Sequence, residues 1–431
     1  MSARVSPIRP DVVVVGAGLV GMTIALKLRQ EGLRVLVIDR DEPGKGASYG
    51  NAGYLATELV NPLSTPATLR RAPKLLLDPH GPLVLPPGYL PSLLPWLWRF
   101  TMAARKKNVS QGQRALAALN TRALGAWQRC LASINAREEL IASGYLMVWE
   151  KARALNQARQ RQAQLNEYGI DAELLDASAV QARDSGLSRS IHHALFFPNA
   201  YQVSDPYRVV KRLVGAFSRV GGELACESVE HIDAAYNGVT ITTGQRSIEA
   251  GRVVIATGAW SARMAELLGL KIPLESESGH HLTLSDRIGA LRQPVGSAER
   301  NVVLTPMRCG LRVVGFSELG GLALKPSPKR SRTLKHHASA LLSNAEGMEQ
   351  AQGWMGYRPT LPDSLPVIGK HPRHPQVQFA FGHQHLGLTL AAITAELVAD
   401  QMMGRAPDID LAPFRADRFE RGRVKENAGN Q

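Results

Sequence analysis

Cysteine is scarce in this chain. Three residues, Cys130, Cys226 and Cys309, stand far apart and are odd in number among 431. That argues against a disulfide framework or a zinc site and points to a reducing compartment, with buried thiols the simplest reading. Long apolar runs are missing too: none reaches the roughly 18 residues that a bilayer-spanning helix needs. The first apolar stretch, Val12 to Val15, runs into glycines rather than a small-residue cleavage site, so no secretory leader is expected. Gly (39) and Pro (26) are scattered without period, which excludes collagen-like and coiled-coil architectures. Acids are outnumbered, 37 against 51 Lys and Arg, for a net charge of +14.

A hydrophobic content of 44% excludes disorder as the main state, because it can offset the entropy of ordering the chain. At roughly 150 residues per domain, two or three domains are expected. The positive charge is uneven. Leu59 to Arg137 carries eleven Lys and Arg against one acid, Asp78, and Lys325 to Lys335 adds five more. Such an excess suits nucleic acid, an anionic membrane or an acidic partner, or it serves solubility alone. No helix-turn-helix, zinc finger or RNA-binding aromatic motif accompanies it, so a nucleic-acid partner is not expected.

The N-terminus carries the clearest motif. Asp11 to Val15 reads as a buried strand, Gly16-Ala17-Gly18-Leu19-Val20-Gly21 follows, Met22 to Gln30 has helical spacing, and Arg34 to Ile38 is a second strand ending on Asp39-Arg40. In such a βαβ unit the first glycine permits the tight turn, the second lets a pyrophosphate approach the backbone, and the third lets helix and strand pack closely. The helix N-terminus offers unpaired N–H groups to phosphates, and Asp39 stands where a carboxylate can accept a ribose hydroxyl. The pattern predicts dinucleotide binding. A nicotinamide enzyme usually builds its second half-sheet at once. Here a loop at 41–56 and a proline-rich stretch from Pro62 to Pro95, with prolines too frequent for regular structure, intervene before the sheet returns around 223–261. An interrupted sheet of this kind suits FAD lying extended across one domain with a substrate domain inserted.

Further along, helices are expected at 114–143 and 152–168, a strand at 144–149, and a helix opened by Asp205-Pro206 and closed near Gly221-Gly222. Residues 266–351 alternate like an antiparallel sheet, and a last helix runs from about Thr389 to Met403.

Five stretches, in order, resemble the FAD-dependent D-amino acid oxidase superfamily, and within it bacterial D-amino acid and D-hydroxyproline dehydrogenases. They are GAGLVG with Asp39-Arg40, GASYGNAG at 46–53, VVIATGAWS at 253–261, GYRPTLPDSLPVIG at 356–369 and GHQHLGLTL at 382–390. The resemblance implies an α/β (α+β) fold, with a Rossmann-like FAD-binding domain from 1–56, 200–265 and 352–431. A substrate domain built on an antiparallel sheet would take 57–199 and 266–351. It implies that Asp39 and Arg40 hold the adenosine ribose, that Val229 meets adenine, and that Ser48, Asn51, Ala52 and Gly53 line the pyrophosphate and flavin edge. Thr257, Gly258 and Trp260 would lie against FAD. Gly382, His383, Leu386, Gly387, Leu388 and Thr389 would wrap the flavin, with a helix N-terminus stabilising charge near N1.

Arg358 matches the arginine that grips the substrate carboxylate, a role suited to its bidentate, always-charged fork. Tyr201, His281, Glu318 and His385 are further substrate-pocket candidates with no motif to fix their roles. His383 and His385 have no neighbouring carboxylate or cysteine in sequence, so no metal is expected. The resemblance implies oxidation of the Cα–N bond of a D-amino or cyclic D-imino acid by hydride loss to flavin N5, without a dedicated base. No flavin-linking cysteine stands around Trp354 to Tyr357, so the FAD is expected to be non-covalent. Electrons would pass to a quinone or respiratory carrier. An oxidase using O2, of glycine or sarcosine type, and a flavin subunit silent outside a complex are the alternatives. A cytoplasmic location follows. The apolar, Trp-bearing and basic stretch from Gly81 to Lys107 either meets the membrane surface or covers the substrate domain.

Overall fold

Four consecutive valines, Val12–Val15, form strand β1, and each is fully buried or nearly so because both faces of its sheet are covered. Helix α1 (Leu19–Gln30) and strand β2 (Val35–Asp39) complete the expected βαβ unit in this computed structural model, which describes residues 9–420. β1 pairs in parallel with β2 and with Arg252–Ile255, β2 with Glu223–Cys226, and Arg252–Ile255 with Val377–Phe381. An antiparallel edge strand, Val367–Lys370, closes this six-stranded sheet.

Alternation along β1 divides the core. Val12 and Val14 face a helical layer made of α1, a long helix and the helices Pro206–Arg219 and Gly387–Met402. Val13 and Val15 face a small antiparallel sheet of residues 229–250 and the helix Ser261–Leu267. Asp205 caps Pro206–Arg219 by accepting from Arg208 N (2.9 Å), with Pro206 at the first helical position, as its sequence predicts.

A second, nine-stranded sheet carries Glu275–Leu284 between Gly310–Leu319 and Gln352–Thr360, and the last of these touches the turns at 258–260 and 384–386 that follow two strands of the first sheet. The Gln352–Thr360 strand, expected with the dinucleotide-binding layer, pairs along its length with Glu275–Leu284 instead. We therefore propose that the chain returns to the dinucleotide-binding layer after Thr360.

The proline-rich stretch departs from expectation. It folds into α2 (Pro66–Leu77) and α3 (Leu90–Ala103), followed by α4 (Lys106–Ser133), which begins earlier and ends earlier than the predicted 114–143. Pro66 starts α2 beneath the Thr65 cap, and a proline also stands in the first turn of α3, positions that need no N–H donor. Pro73 and Pro95 lie inside the helices, where each forfeits one hydrogen bond.

Close to this region, burial pushes Glu58 up to about 7, opposed by its own backbone N–H and the Tyr54 hydroxyl 3.1 Å away. A carboxyl raised in the folded state contributes stability that is complete below its unfolded pKa and lost as pH rises through the folded value. Glu58→Gln is therefore expected to match the parent near pH 4.5 and to exceed it by about 3 kcal/mol above pH 7. Thermal melts of both proteins across that window check the sign.

Candidate active site

The glycine-rich turn is built as dinucleotide binding demands. Gly16 has φ 108°, and a Cβ there would stand 2.4 Å from the Ala256 carbonyl oxygen. A Cβ on Gly21 would stand 1.8 Å from the Gly16 carbonyl oxygen, so no larger residue keeps α1 this close to β1. Ser48 Oγ accepts from Leu19 N (2.9 Å) at the start of α1. Asp39, at the end of β2, accepts from Ala17 N (2.6 Å) and Asp41 N (3.0 Å), which locks its carboxylate beside the turn.

A cavity of about 770 Å³ begins at this turn and runs to Arg358. Of the expected cofactor residues, Gly16, Gly18, Leu19, Val20, Asp39, Arg40, Ser48, Asn51, Ala52, Val229, Thr257, Gly258, Trp260, His383, Gly387 and Leu388 line it. The rest support its wall. Ala17 and Gly21 shape the turn, and Gly53 (φ 79°) donates to Asn51 Oδ1 (2.8 Å). Gly382 (φ 83°) clears Leu361, Leu386 N bonds the His383 carbonyl, and Thr389 Oγ1 accepts from Ala56 N (2.9 Å). The Arg40 guanidinium lies 4.0 Å over the Trp260 ring, joining two of the expected cofactor segments. His383 is buried with Nε2 3.0 Å from Thr394 Oγ1, and burial drives its pKa down to about 3, so it is a neutral structural ring.

At the far end of the cavity, register brings the chemistry together. Glu277 stands opposite Arg358, Gly279 opposite Gly356, and His281 opposite Trp354. One residue, Gly279, faces two, Phe316 and Ser317, which makes a β-bulge with Phe316 at φ 70°. The bulge turns the Phe316 carbonyl onto Arg358 Nη1 (2.8 Å) and the Ser317 hydroxyl onto Glu277 (2.7 Å). Gly279 leaves the space that Arg358 fills, since a Cβ there would stand 2.2 Å from Nη2.

Glu277, 2% exposed, also accepts from Arg358 Nη1 (3.0 Å) and Thr360 Oγ1 (2.8 Å), and its Oε1 lies 3.2 Å from His385 Nε2. Burial works against its charge, but the His385 ring, Arg358 and the Ser317 hydroxyl outweigh burial and hold it well below the usual carboxylate range. Arg358 thus spends Nη1 on the protein. Its Nη2 and Nε make no hydrogen bond to the described residues, and Arg358 lines the cavity, so half of the fork is left for an anion.

A family model described as FAD dependent oxidoreductase matches residues 11–401, nearly the whole described chain. The chain belongs to this FAD-dependent oxidoreductase family. It is 31% identical over 418 residues to a D-amino-acid oxidase of Bradyrhizobium diazoefficiens, covering 95% of this chain and 98% of that one. It is also 31% identical over 427 residues to D-amino acid dehydrogenase 2 of Ralstonia nicotianae, covering 94% and 99%. Among solved structures, L-proline dehydrogenase from P. horikoshii shares the fold at TM-score 0.74 and 19% identity, covering 97% of this chain and 100% of that one. Glycine oxidase from Geobacillus kaustophilus does so at 0.72 and 24%, covering 95% and 99%.

FAD is the cofactor of this oxidoreductase, and the residues present fit it. The glycine turn would take the pyrophosphate at the α1 N-terminus, Asp39 would take the ribose, and residues 227–229 border the same cavity. The helix Gly387–Met402 starts at the cavity wall, with no side-chain cap, where it can serve developing negative charge.

Three substrate candidates lie elsewhere. Tyr201 sits on a short strand between Leu55 and Ala142 and packs against the helical core. His281 stacks on Trp354 (5.0 Å between ring centroids) in a three-ring cluster with Tyr49, with Nδ1 3.3 Å from the Gly50 carbonyl. Burial, then Arg312, depresses its pKa to about 3. It braces the 48–53 loop. Glu318 turns away because the bulge shifts the alternation. Burial opposes its charge, yet the His280 ring 3.4 Å away and hydrogen bonds from Arg330 (2.9 Å) hold it down to about 2. His385 alone of the four lines the cavity.

Sequence reading missed Glu277, Ser317, Trp354 and Arg312. The last donates from Nη1 to both the Tyr49 and Asn51 carbonyls (3.0 Å each) and so fixes this cavity-lining loop. A carboxylate repeating at every second residue in Glu275-Ser-Glu277 of a buried strand was the available signal.

Proposed function

We propose that this oxidoreductase removes a hydride from the Cα of a D-amino or cyclic D-imino acid, acting as a dehydrogenase that passes electrons to a quinone-type carrier. The observation that carries the reading is the half-free Arg358 fork, at one end of a cavity whose other end is the dinucleotide turn. The names of the relatives, D-amino-acid oxidase and D-amino acid dehydrogenase, agree with an amino acid donor.

Arg358 Nη2 and Nε bind the substrate carboxylate as a charge-assisted pair. The Phe316 carbonyl and Glu277 fix the guanidinium so that little is lost in ordering it. Trp354, Tyr357 and Trp260 wall the cavity with aromatic surface and exclude water from the reacting carbon. Bound FAD supplies the two-electron acceptor at its N5.

The surface beside the cavity supports a membrane-borne acceptor. α2 turns Leu69, Ala72, Leu75 and Leu76 toward the cavity, and none of its residues is buried. Leu77 (83%), Leu94 and Trp98 (58%) are exposed on α2 and α3 beside Arg70, Lys74, Lys106 and Lys107. This arrangement fits contact with an anionic leaflet at about 1 kcal/mol per basic residue. Among the described residues no helix is long and apolar enough to cross a membrane.

The test is anaerobic bleaching of the flavin band, at about 450 nm, by paired D- and L-amino acids, prolines and hydroxyprolines, followed by re-oxidation with air or a quinone analogue. Bleaching by D-compounds with re-oxidation by quinone alone is expected. Bleaching by L-compounds only, or rapid re-oxidation by air, overturns the donor or the acceptor part of the reading respectively.

A further inference from the structure

We propose that His385, oriented by Glu277, accepts the proton that the substrate ammonium must lose before its Cα hydrogen can leave. This rests on the amino acid reading above and adds a proton acceptor to it.

Loss of hydride from Cα needs the nitrogen lone pair to form the C=N bond, and an ammonium group has none to give. At neutral pH a free amino acid arrives protonated, so the proton must go somewhere before oxidation. Beside Arg358 in the cavity, His385 is placed to take it. His385 stands on the loop before Gly387–Met402, with Nε2 3.2 Å from Glu277 Oε1. An ionised carboxylate only accepts, so a neutral His385 facing it carries its proton on Nε2 and leaves the Nδ1 lone pair available. Nδ1 makes no hydrogen bond to the described residues. Glu277 also holds Arg358, so the site for the carboxylate and the acceptor for the amine proton hang from one buried anion.

Other ionisable groups do not compete for the role. From the Gln352–Thr360 strand, Arg358 is permanently charged and the Tyr357 hydroxyl donates to the Leu324 carbonyl (2.7 Å). From Glu275–Leu284 comes Glu277, which is spent on four partners, while Glu275 is taken by the Tyr89 hydroxyl (3.1 Å). On the same loop His383 is turned to Thr394. The first two turns of Gly387–Met402 hold no ionisable side chain.

The step balances. One N–H bond of the ammonium breaks and its proton joins His385 Nδ1. The Cα–H bond then breaks as the nitrogen lone pair forms C=N, and bound FAD would take the hydrogen with both electrons as hydride, so that the two-electron oxidation of the substrate is balanced. The imidazolium beside Glu277 is neutralised in place and gives up its proton to solvent after the product leaves.

The experiment is the pH dependence of flavin reduction by a reactive amino acid, as the rate constant over the dissociation constant, in the FAD-loaded protein and in His385→Gln. The parent is expected to be flat between pH 7 and 9. The variant must wait for substrate that is already neutral in solution, so its value is expected to fall about 100-fold at pH 7 and to climb about tenfold per pH unit. A loss that is equal at every pH is a structural effect and overturns the proposal, as does a parent that already climbs with pH. A second readout needs no turnover. 2-Aminoisobutyrate keeps the carboxylate and ammonium but has no Cα hydrogen. Its binding is expected to convert the His385 ring, followed by 15N NMR and assigned with His385→Gln, to imidazolium. A ring that stays neutral overturns the proposal. Failure of every amino acid to bleach the parent flavin sinks the underlying reading, and is distinct from a parent that is reduced without help from His385.

Discussion

Arg358→Ala is expected to lower kcat/KM by roughly 30- to 1,000-fold, the equivalent of about 2–4 kcal/mol, while the protein still binds FAD. The effect has two sources that a second variant separates. The carboxylate loses a bidentate, charge-assisted contact, and Glu277 loses the cation that neutralises it in a buried site. Arg358→Lys keeps a positive charge near Glu277 but not the planar fork, so it should restore most of the thermal stability and little of the activity. Flavin reduction kinetics and melting of both variants measure the split. Activity retained in Arg358→Ala would remove the carboxylate assignment, and activity restored by lysine would reduce the role of Arg358 to charge alone.

How far such a site is legible in a sequence depends on whether its constraints are local. The βαβ unit is local: within about 30 residues, buried valines, three glycines and an acid each have one structural reason to be there, and the structure builds the two strands, the tight turn and the helix from them. Asp205-Pro206 is legible for the same reason. Arg358 stands out through a motif, although motif alone does not say that its Nη1 is already engaged. Glu277 was not legible. Its partner lies 81 residues away, and only strand register brings the two side chains to the same face. The bulge at Phe316 compounds the difficulty, because a single extra residue moves Ser317 onto the site and Glu318 off it, and the positive φ falls on Phe316 rather than on a glycine. α2 and α3 were misread because prolines were counted without their positions. Two of them start helices, and the interior ones lie in helices whose outer faces are open to water, which can bond the carbonyls left free.

Glu277→Ala is expected to be the most damaging single substitution for the fold of the site. It would leave Arg358 and His385 facing the space of a vanished anion, and would strip Ser317 and Thr360 of their acceptor. Removing one partner of a buried ion pair costs about 3–5 kcal/mol, because the remaining charge has no compensation. The same argument predicts strong non-additivity. In Glu277→Gln with Arg358→Met, the paired charges leave together, so the double variant should be more stable than the sum of the single losses by about 1–3 kcal/mol. Glu277→Gln alone carries a further signature. With the anion gone, the free half of Arg358 is no longer offset, and simple carboxylates should bind the FAD-loaded protein about tenfold more tightly, a gain on the order of 1–2 kcal/mol. Weaker carboxylate binding in that variant would mean that Glu277 chiefly shapes Arg358. Tighter binding accompanied by slower flavin reduction would mean that Glu277 sets the charge balance that lets an amino acid, rather than any anion, occupy the cavity.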